Sequence, residues 1–134
     1  MAATFHFELV SPERILLATE DAEQVQLPGA EGDFTVFAGH TPVISALRPG
    51  ILELNIGGSR RRMYVRGGFA EVQPDSLTVL AQMAMEVSEM DSGRIESELE
   101  IATSELTNAK DDDSRRLAWF AVEQLKALQG GAKG

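Results

Sequence analysis

The feature that most constrains this chain is a change of hydrophobic period near residue 88. Before it, apolar residues recur at every second position, as they do along a strand with one buried face. After it they recur at steps of four and three, the stripe of an amphipathic helix. One layer cannot satisfy both periods, so the chain must build two kinds of structure in sequence order.

The strand region opens with Phe5, Phe7 and Leu9 alternating with Thr4, His6 and Glu8. Ser11-Pro12-Glu13 reads as a turn, Ile15 to Thr19 as a short apolar run, and Val25 and Leu27 as a separate alternation stopped by Pro28-Gly29. Phe34, Val36 and Ala38 form the next set, ended by Gly39 and Pro42. Leu52, Leu54 and Ile56 then run into Gly57-Gly58, and Arg62, Tyr64 and Arg66 alternate with Met63 and Val65 beyond it. Paired glycines supply the positive φ angles that a tight hairpin turn needs. Gly67-Gly68, the run Phe69 to Val72, the turn Pro74-Asp75 and the set Leu77, Val79 and Ala81 complete the region. So many short strands with closely spaced turns predict a sandwich or a barrel.

In the helical region Ile95, Leu99, Ala102, Leu106 and Ala109 share one face, with Asp91 placed to cap the first turn. Lys110-Asp111-Asp112-Asp113-Ser114 reads as a loop whose acids meet the positive end of the next helix. Leu117, Ala121, Leu125 and Leu128 make the second stripe; Gly130-Gly131 ends it, and the tail through Gly134 is expected to fray. The predicted units are residues 1–87 and 88–134. The second is close to the roughly 40 residues below which chains rarely fold alone. With alanines in a narrow seam, it is expected to borrow stability from the β body or from another protein, and to be the more mobile unit.

Composition enters through what it excludes. Twelve Lys and Arg against 21 Asp and Glu give a net charge of −9, which repels nucleic-acid phosphates and anionic headgroups. There is no cysteine, hence no disulfide framework, thiol nucleophile or zinc ribbon. No apolar run reaches the ~18–20 residues of a bilayer span. Met1-Ala2-Ala3-Thr4 leads into a strand pattern without signal-peptide regions. A soluble protein of a reducing, cytosol-like compartment is expected.

Chemistry-bearing residues are sparse. His6 and His40 lack carboxylates at ligand spacing, so no metal site is expected. His6 reads as a sheet-face residue, while His40, in the Gly39–Pro42 loop, is a candidate contact residue. No serine lies in a nucleophile elbow, no P-loop is present and no GxGxxG opens a helix. Arg60-Arg61-Arg62 alternates across a strand and is expected to pair with nearby acids. The pattern is that of a protein that binds, with no catalytic constellation and no cofactor expected.

Leu27-Pro28-Gly29, Glu31-Gly32-Asp33-Phe34, Gly39-His40-Thr41-Pro42 and Leu47-Arg48-Pro49-Gly50 stand in a row. Gly67-Gly68-Phe69-Ala70-Glu71-Val72 and Thr78-Val79-Leu80-Ala81 follow. Over essentially its whole length the chain resembles the epsilon-subunit family of bacterial F-type ATP synthases, called delta in mitochondria. The resemblance implies an all-β sandwich of about ten strands followed by an antiparallel two-helix hairpin. It implies a non-catalytic rotor subunit of the central stalk, beside gamma and resting on the ring of c subunits. There it would couple rotation driven by proton flow to ATP synthesis. The location implied is the cytoplasmic face of a bacterial inner membrane, held there only through the complex.

The resemblance also assigns residues. Glu31, Asp33 and His40 are implied at the end facing the c ring, although two tight turns closing a sandwich would use the same glycines and prolines. One side of the sandwich and the hairpin seam are implied for gamma, without individual residues. Met90-Asp91-Ser92-Gly93-Arg94-Ile95 resembles an (Ile/Leu)-Asp-x-x-Arg-Ala motif that binds ATP, with Ile95 in place of Ala and Gly93 weakening the turn. Asp91 and Arg94 are therefore either nucleotide contacts or a helix cap with a neighbouring arginine. Inhibition of ATP hydrolysis, through the alpha and beta catalytic subunits, would use Arg115, Arg116 and Lys126. Asp111, Asp112, Asp113 and Glu123 oppose them, which argues against a strong brake. Thr35 stands where the family often has Gly. A second reading makes the chain a small nucleotide-sensing protein acting through the hairpin; a third, an enzyme, would rest on His40 alone.

Overall fold

The computed structural model describes residues 3–131, so Met1, Ala2 and the tail expected to fray beyond Gly131 lie outside the described residues. Strand alternation determines the first layer. β1 (Phe5–Val10) buries Phe5, Phe7 and Leu9 and turns His6, Glu8 and Val10 outward. β8 (Ser76–Ala81) buries Leu77, Val79 and Ala81 beside it, in parallel register. β7 (Gly68–Gln73) and β4 (Val43–Leu47) extend this layer in antiparallel pairing.

The second layer begins on β2 (Ile15–Leu27), a single 13-residue strand, where the sequence reading separates an apolar run from a later alternation. The intervening Glu20-Asp21-Ala22-Glu23 stays extended because only Ala22 points inward, at 0% exposure. Register shifts next to Ala22 interrupt both of its ladders, and such bulges bend a strand. The first half of β2 pairs with β1, and the second half pairs with β5 (Gly50–Ile56) and with β3 (Phe34–Val36). β6 (Ser59–Val65) and β9 (Ala84–Glu86) complete the order β4-β7-β8-β1-β2-β5-β6-β9. Among the described residues nine strands form the sandwich, in line with the expectation of about ten. The expected Gly57-Gly58 turn joins β5 to β6 with φ of 53° and 84°.

β4 and β9 escape the sequence reading. On β4, Val43 and Ile44 are both exposed and only Leu47 is buried, so no two-residue period is visible. At Gly68 (φ 128°) a Cβ would run into the Leu80 carbonyl, so only glycine lets β7 close on β8.

The helices are α1 (Ser92–Thr107) and α2 (Asp112–Gln129). Asp91 caps α1 as expected, accepting from the Arg94 amide at 2.8 Å. The expected loop 110–114 is shorter, because Asp111 caps α2 by accepting from the Ser114 amide at 2.7 Å. Asp112 and Asp113 thus fall in the first turn of α2, where the dipole favours anions. Ala109 lies outside α1, and Leu117 is exposed while Ala118 and Val122 are buried. Ala121, Leu125 and Leu128 are buried as expected, and the stripe widens to Ala118 and Val122, since the helix packs on a sheet as well as on its partner helix.

Two apolar clusters result. One fills the sandwich. The other lies between its second layer and the helices, joining Tyr64 with Ile51, Met85, Ile95, Ala102, Ala121, Val122, Leu125 and Leu128. Ile51, Tyr64 and Met85 form one cross-strand row over β5, β6 and β9. The hairpin therefore lies folded down on the second layer. The first layer keeps a bare row, Ala46-Phe69-Leu80-Val10, across β4, β7, β8 and β1. Phe69 and Leu80 in that row are 58% and 52% exposed, and Ile44 beside it is 72% exposed.

Candidate functional site

The β2–β3 connection is built by glycine and held by arginine. A Cβ on Gly29 would collide with the Gly32 carbonyl and press on the Phe34 ring. The Ala30 amide donates to the Ala46 carbonyl at 2.8 Å, and the Arg48 amide to the Pro28 carbonyl at 2.9 Å. Arg48 Nη1 donates to the Gly29 carbonyl and Nη2 to Asp33 Oδ1, each at 2.6 Å. Glu31 is exposed at the tip. From α2, Arg116 Nη2 donates to the Ala30 carbonyl at 3.1 Å. The Arg48 and Arg116 guanidinium groups both lie over the Phe120 ring, at 5.4 and 5.5 Å from its centroid.

His40 belongs to the connection at the other end of β3. There the Gly39 amide donates to the Pro74 carbonyl and His40 Nδ1 to the Thr41 carbonyl, both at 2.6 Å. Glu31 and Asp33 thus share one loop, whereas His40 stands apart from them across the length of β3.

Asp91 and Arg94 come together, but each already has a structural role. The Asp91 carboxylate is the helix cap, and Arg94 Nε lies 3.4 Å from Glu98. Glu98 is 7% exposed and also faces Arg66 at 3.6 Å, so an ion pair joins α1 to the end of β6. Its Oε1 and the buried Tyr64 hydroxyl have no hydrogen-bond partner among the described residues. Burial pushes the Tyr64 hydroxyl above the ordinary tyrosine range. Sequence reasoning passed over both groups, although each left a signal. Glu98 lies on the seam between Ile95 and Ala102, and Tyr64 is a lone aromatic among arginines.

The three basic residues of α2 do not form a patch. Arg115 binds Asp112 at 2.9 Å, Arg116 is committed to the Ala30 carbonyl, and Lys126 is exposed in the last turn. Arg60 and Arg62 approach Glu53 at 3.6 and 3.9 Å, and Arg61 forms a fork on Glu86 at 2.7 and 3.2 Å, as expected. The Arg61 guanidinium holds the Glu86 carboxyl below its usual range. His6 is a sheet-face residue bonded to Glu20 at 2.6 Å and Glu8 at 3.1 Å. Those two carboxylates, Glu8 foremost, raise its pKa. Among the described residues, no group of three His, Cys, Asp or Glu could hold a metal, and no helix is long and apolar enough to cross a membrane. An open cleft of about 930 Å³ separates the helical elbow from the sandwich, with Arg66, Lys110 and Arg116 facing Glu105, Asp111 and Asp113. Its charges balance, so it favours neither anion nor cation.

Comparison with known proteins matches this arrangement. Residues 4–87 fit the sequence model of the ATP synthase delta/epsilon chain β-sandwich domain. The chain is 45% identical to the ATP synthase epsilon chain of Parvibaculum lavamentivorans over 130 residues, covering 96% of this chain and 98% of that one. It is 43% identical to the epsilon chain of a Chelativorans species, covering 97% and 96%. A chain in the Euglena gracilis mitochondrial ATP synthase OSCP/F1/c-ring structure superposes with a TM-score of 0.74 at 25% identity, covering 98% of this chain and 83% of that one. A chain of the Tetrahymena thermophila central stalk and c-ring structure shares the fold, with a TM-score of 0.64 at 13% identity and coverage of 96% and 98%. A full-length match to epsilon chains, with the sandwich and the helical pair both present, shows that this chain belongs to the ATP synthase delta/epsilon family.

Proposed function

We infer that the chain is the epsilon subunit of a rotary ATP synthase, a non-catalytic part of its central stalk within a membrane-associated complex. Its bare apolar row carries the reading of how it attaches. The chain covers one outer face of the sandwich with its own hairpin and leaves Phe69, Leu80 and Ile44 open on the other. Apolar strips of this kind are where soluble subunits meet partners. That face receives gamma in our reading, while Glu31 and Asp33 meet polar loops of the c ring, and His40 a second contact. The complex lies on the cytoplasmic side of a bacterial inner membrane.

Residues 1–87 act as the coupling unit and residues 88–134 as a regulatory one. Arg115, Arg116 and Lys126 would reach the alpha and beta subunits only after the hairpin leaves the sandwich, since Arg116 is spent on docking. ATP at Asp91 and Arg94 would have to compete with the cap and with Glu98, so nucleotide binding there is weak.

Purification of the assembled synthase through a tag on this chain tests the role. Gamma and the c ring should co-purify, and Phe69→Asp combined with Leu80→Asp should release them without unfolding the chain. Unchanged recovery with both aspartates would overturn the gamma assignment; absence of gamma with the unaltered chain would overturn the stalk role. Deletion of residues 88–134 should retain synthesis and raise hydrolysis modestly.

A further inference from the structure

Three side chains join the partner-facing loop to the hairpin. Arg48 uses both guanidinium ends on that loop, at the Gly29 carbonyl and at Asp33. Arg116, from α2, takes the next carbonyl, that of Ala30. Both guanidinium groups then use the same Phe120 ring. Two cations share one aromatic ring, while Asp33 and two backbone carbonyls of a single loop supply the negative counterpart. An aromatic face attracts cations, and more strongly when water is partly excluded. The Arg48 side chain is only 22% exposed.

We propose that Arg48, Phe120 and Arg116 form a clasp through which docking of the helical hairpin sets the shape of the Gly29–Asp33 loop, and hence how that loop meets the c ring. The last step rests on the reading that this loop faces the c ring; the clasp itself does not. When the hairpin lifts, the Ala30 carbonyl loses its donor and Arg48 loses its aromatic cover. Arg48 then exchanges its loop bonds for water more readily. Linkage requires the reverse to hold equally. A partner that draws Asp33 away from Arg48 lowers the affinity of Arg48 for Phe120, and so favours release of the hairpin. The loop thereby reports on the hairpin, and the hairpin on the loop, across elements 86 residues apart in sequence.

Hydrogen exchange of the full chain tests the clasp. The probes are the Ala30 and Gly32 amides, which donate to the Ala46 and Gly29 carbonyls. Phe120→Leu keeps apolar bulk and removes both ring contacts; exposed Arg116→Gln removes the bond to Ala30 with little risk to folding. Each should speed exchange at residues 29–33 by about five-fold, with β8 amides unchanged. Asp33→Asn should in turn speed exchange in the first turns of α2. Loop exchange unaltered by both hairpin variants would overturn the clasp.

A second measurement, in the assembled synthase, separates the two claims. A cysteine at Glu31 (Glu31→Cys) is oxidised against a cysteine placed in the c-ring loops, with and without Phe120→Leu. A several-fold change in trapping supports transmission to the c ring, and equal trapping in both overturns it. Failure to trap in either background, with the exchange shift still present, overturns the c-ring reading while the clasp stands.

Discussion

The interior of the sandwich and the seam beneath the hairpin are both buried, yet they are made differently. Between the two layers the side chains are apolar, from Phe7 and Leu9 to Leu52, Leu54 and Val79, with no buried charged or polar side chain there among the described residues. The seam includes Tyr64 with an unpaired hydroxyl, and borders Glu98, a buried carboxylate whose oxygens face Arg66 and Arg94 at 3.6 and 3.4 Å. A buried polar atom without a partner costs about 1–3 kcal/mol. The sandwich interior is therefore the more firmly closed of the two on these grounds, and the seam the looser. The same contrast appears outside: the second layer is covered by the hairpin, the first by nothing among the described residues.

The largest expected effect comes from matched truncations. Leu54→Ala and Leu125→Ala each delete a side chain with 0% exposure and should cost about 2–5 kcal/mol. Leu54→Ala should lower the urea midpoint of the whole molecule. Leu125→Ala should instead free α1 and α2 amides for exchange while β-sheet amides stay protected. A single shared transition in both variants would erase the distinction between the two regions.

Tyr64→Phe sharpens the comparison and should act in the opposite direction. Removing the unpaired hydroxyl while keeping the ring should strengthen docking by about 1–3 kcal/mol, read as slower exchange in both helices. Faster exchange would mean that the hydroxyl supports the seam, and the reason given for its looseness would be wrong.

The smallest effect is a pH response of opposite sign in the two regions. Glu8 and Glu20 raise the pKa of His6 above its ordinary 6.5. The folded sandwich thus holds that proton more tightly than the unfolded chain. Its contribution is complete below pH 6.5 and fades as pH rises through the raised value. The Ser114 amide and hydroxyl hold Asp111 below its ordinary 3.8. The cap on α2 is complete above that value and is lost as pH falls through the lowered one. Melting curves across pH should flatten on the alkaline side in His6→Gln, and helix loss on the acid side should lose its pH dependence in Asp111→Ala. Unaltered profiles would remove these groups from the pH response.

Much of this is legible in the amino-acid sequence. Alternation identified the inward residues of β1, β5 and β8, and the glycine pair identified the β5–β6 turn. Asp91 was identifiable as a cap. β4 was not, because Val43 and Ile44 face solvent at a sheet edge, where burial imposes no period. β2 was cut in two because its bulges break the alternation that a regular strand would keep. The full width of the buried face of α2 was hidden for a related reason: a helix touching two surfaces buries a broader stripe than one seam implies. Of the site residues, Asp91–Arg94 could be anticipated as neighbours from helical spacing. The separation of His40 from Glu31 could not, since it depends on which end of β3 each loop leaves.

Local chemistry in the sequence was enough to determine which residues alternate, where turns fall and where helices start. Those outcomes depend on contacts a few residues apart. Only the folded molecule decided that the hairpin lies on the second layer, that Phe69 and Leu80 remain bare, and that Arg48 meets Phe120. Such pairings join surfaces far apart along the chain, and their choice depends on shape and burial summed over whole faces, which no local pattern encodes.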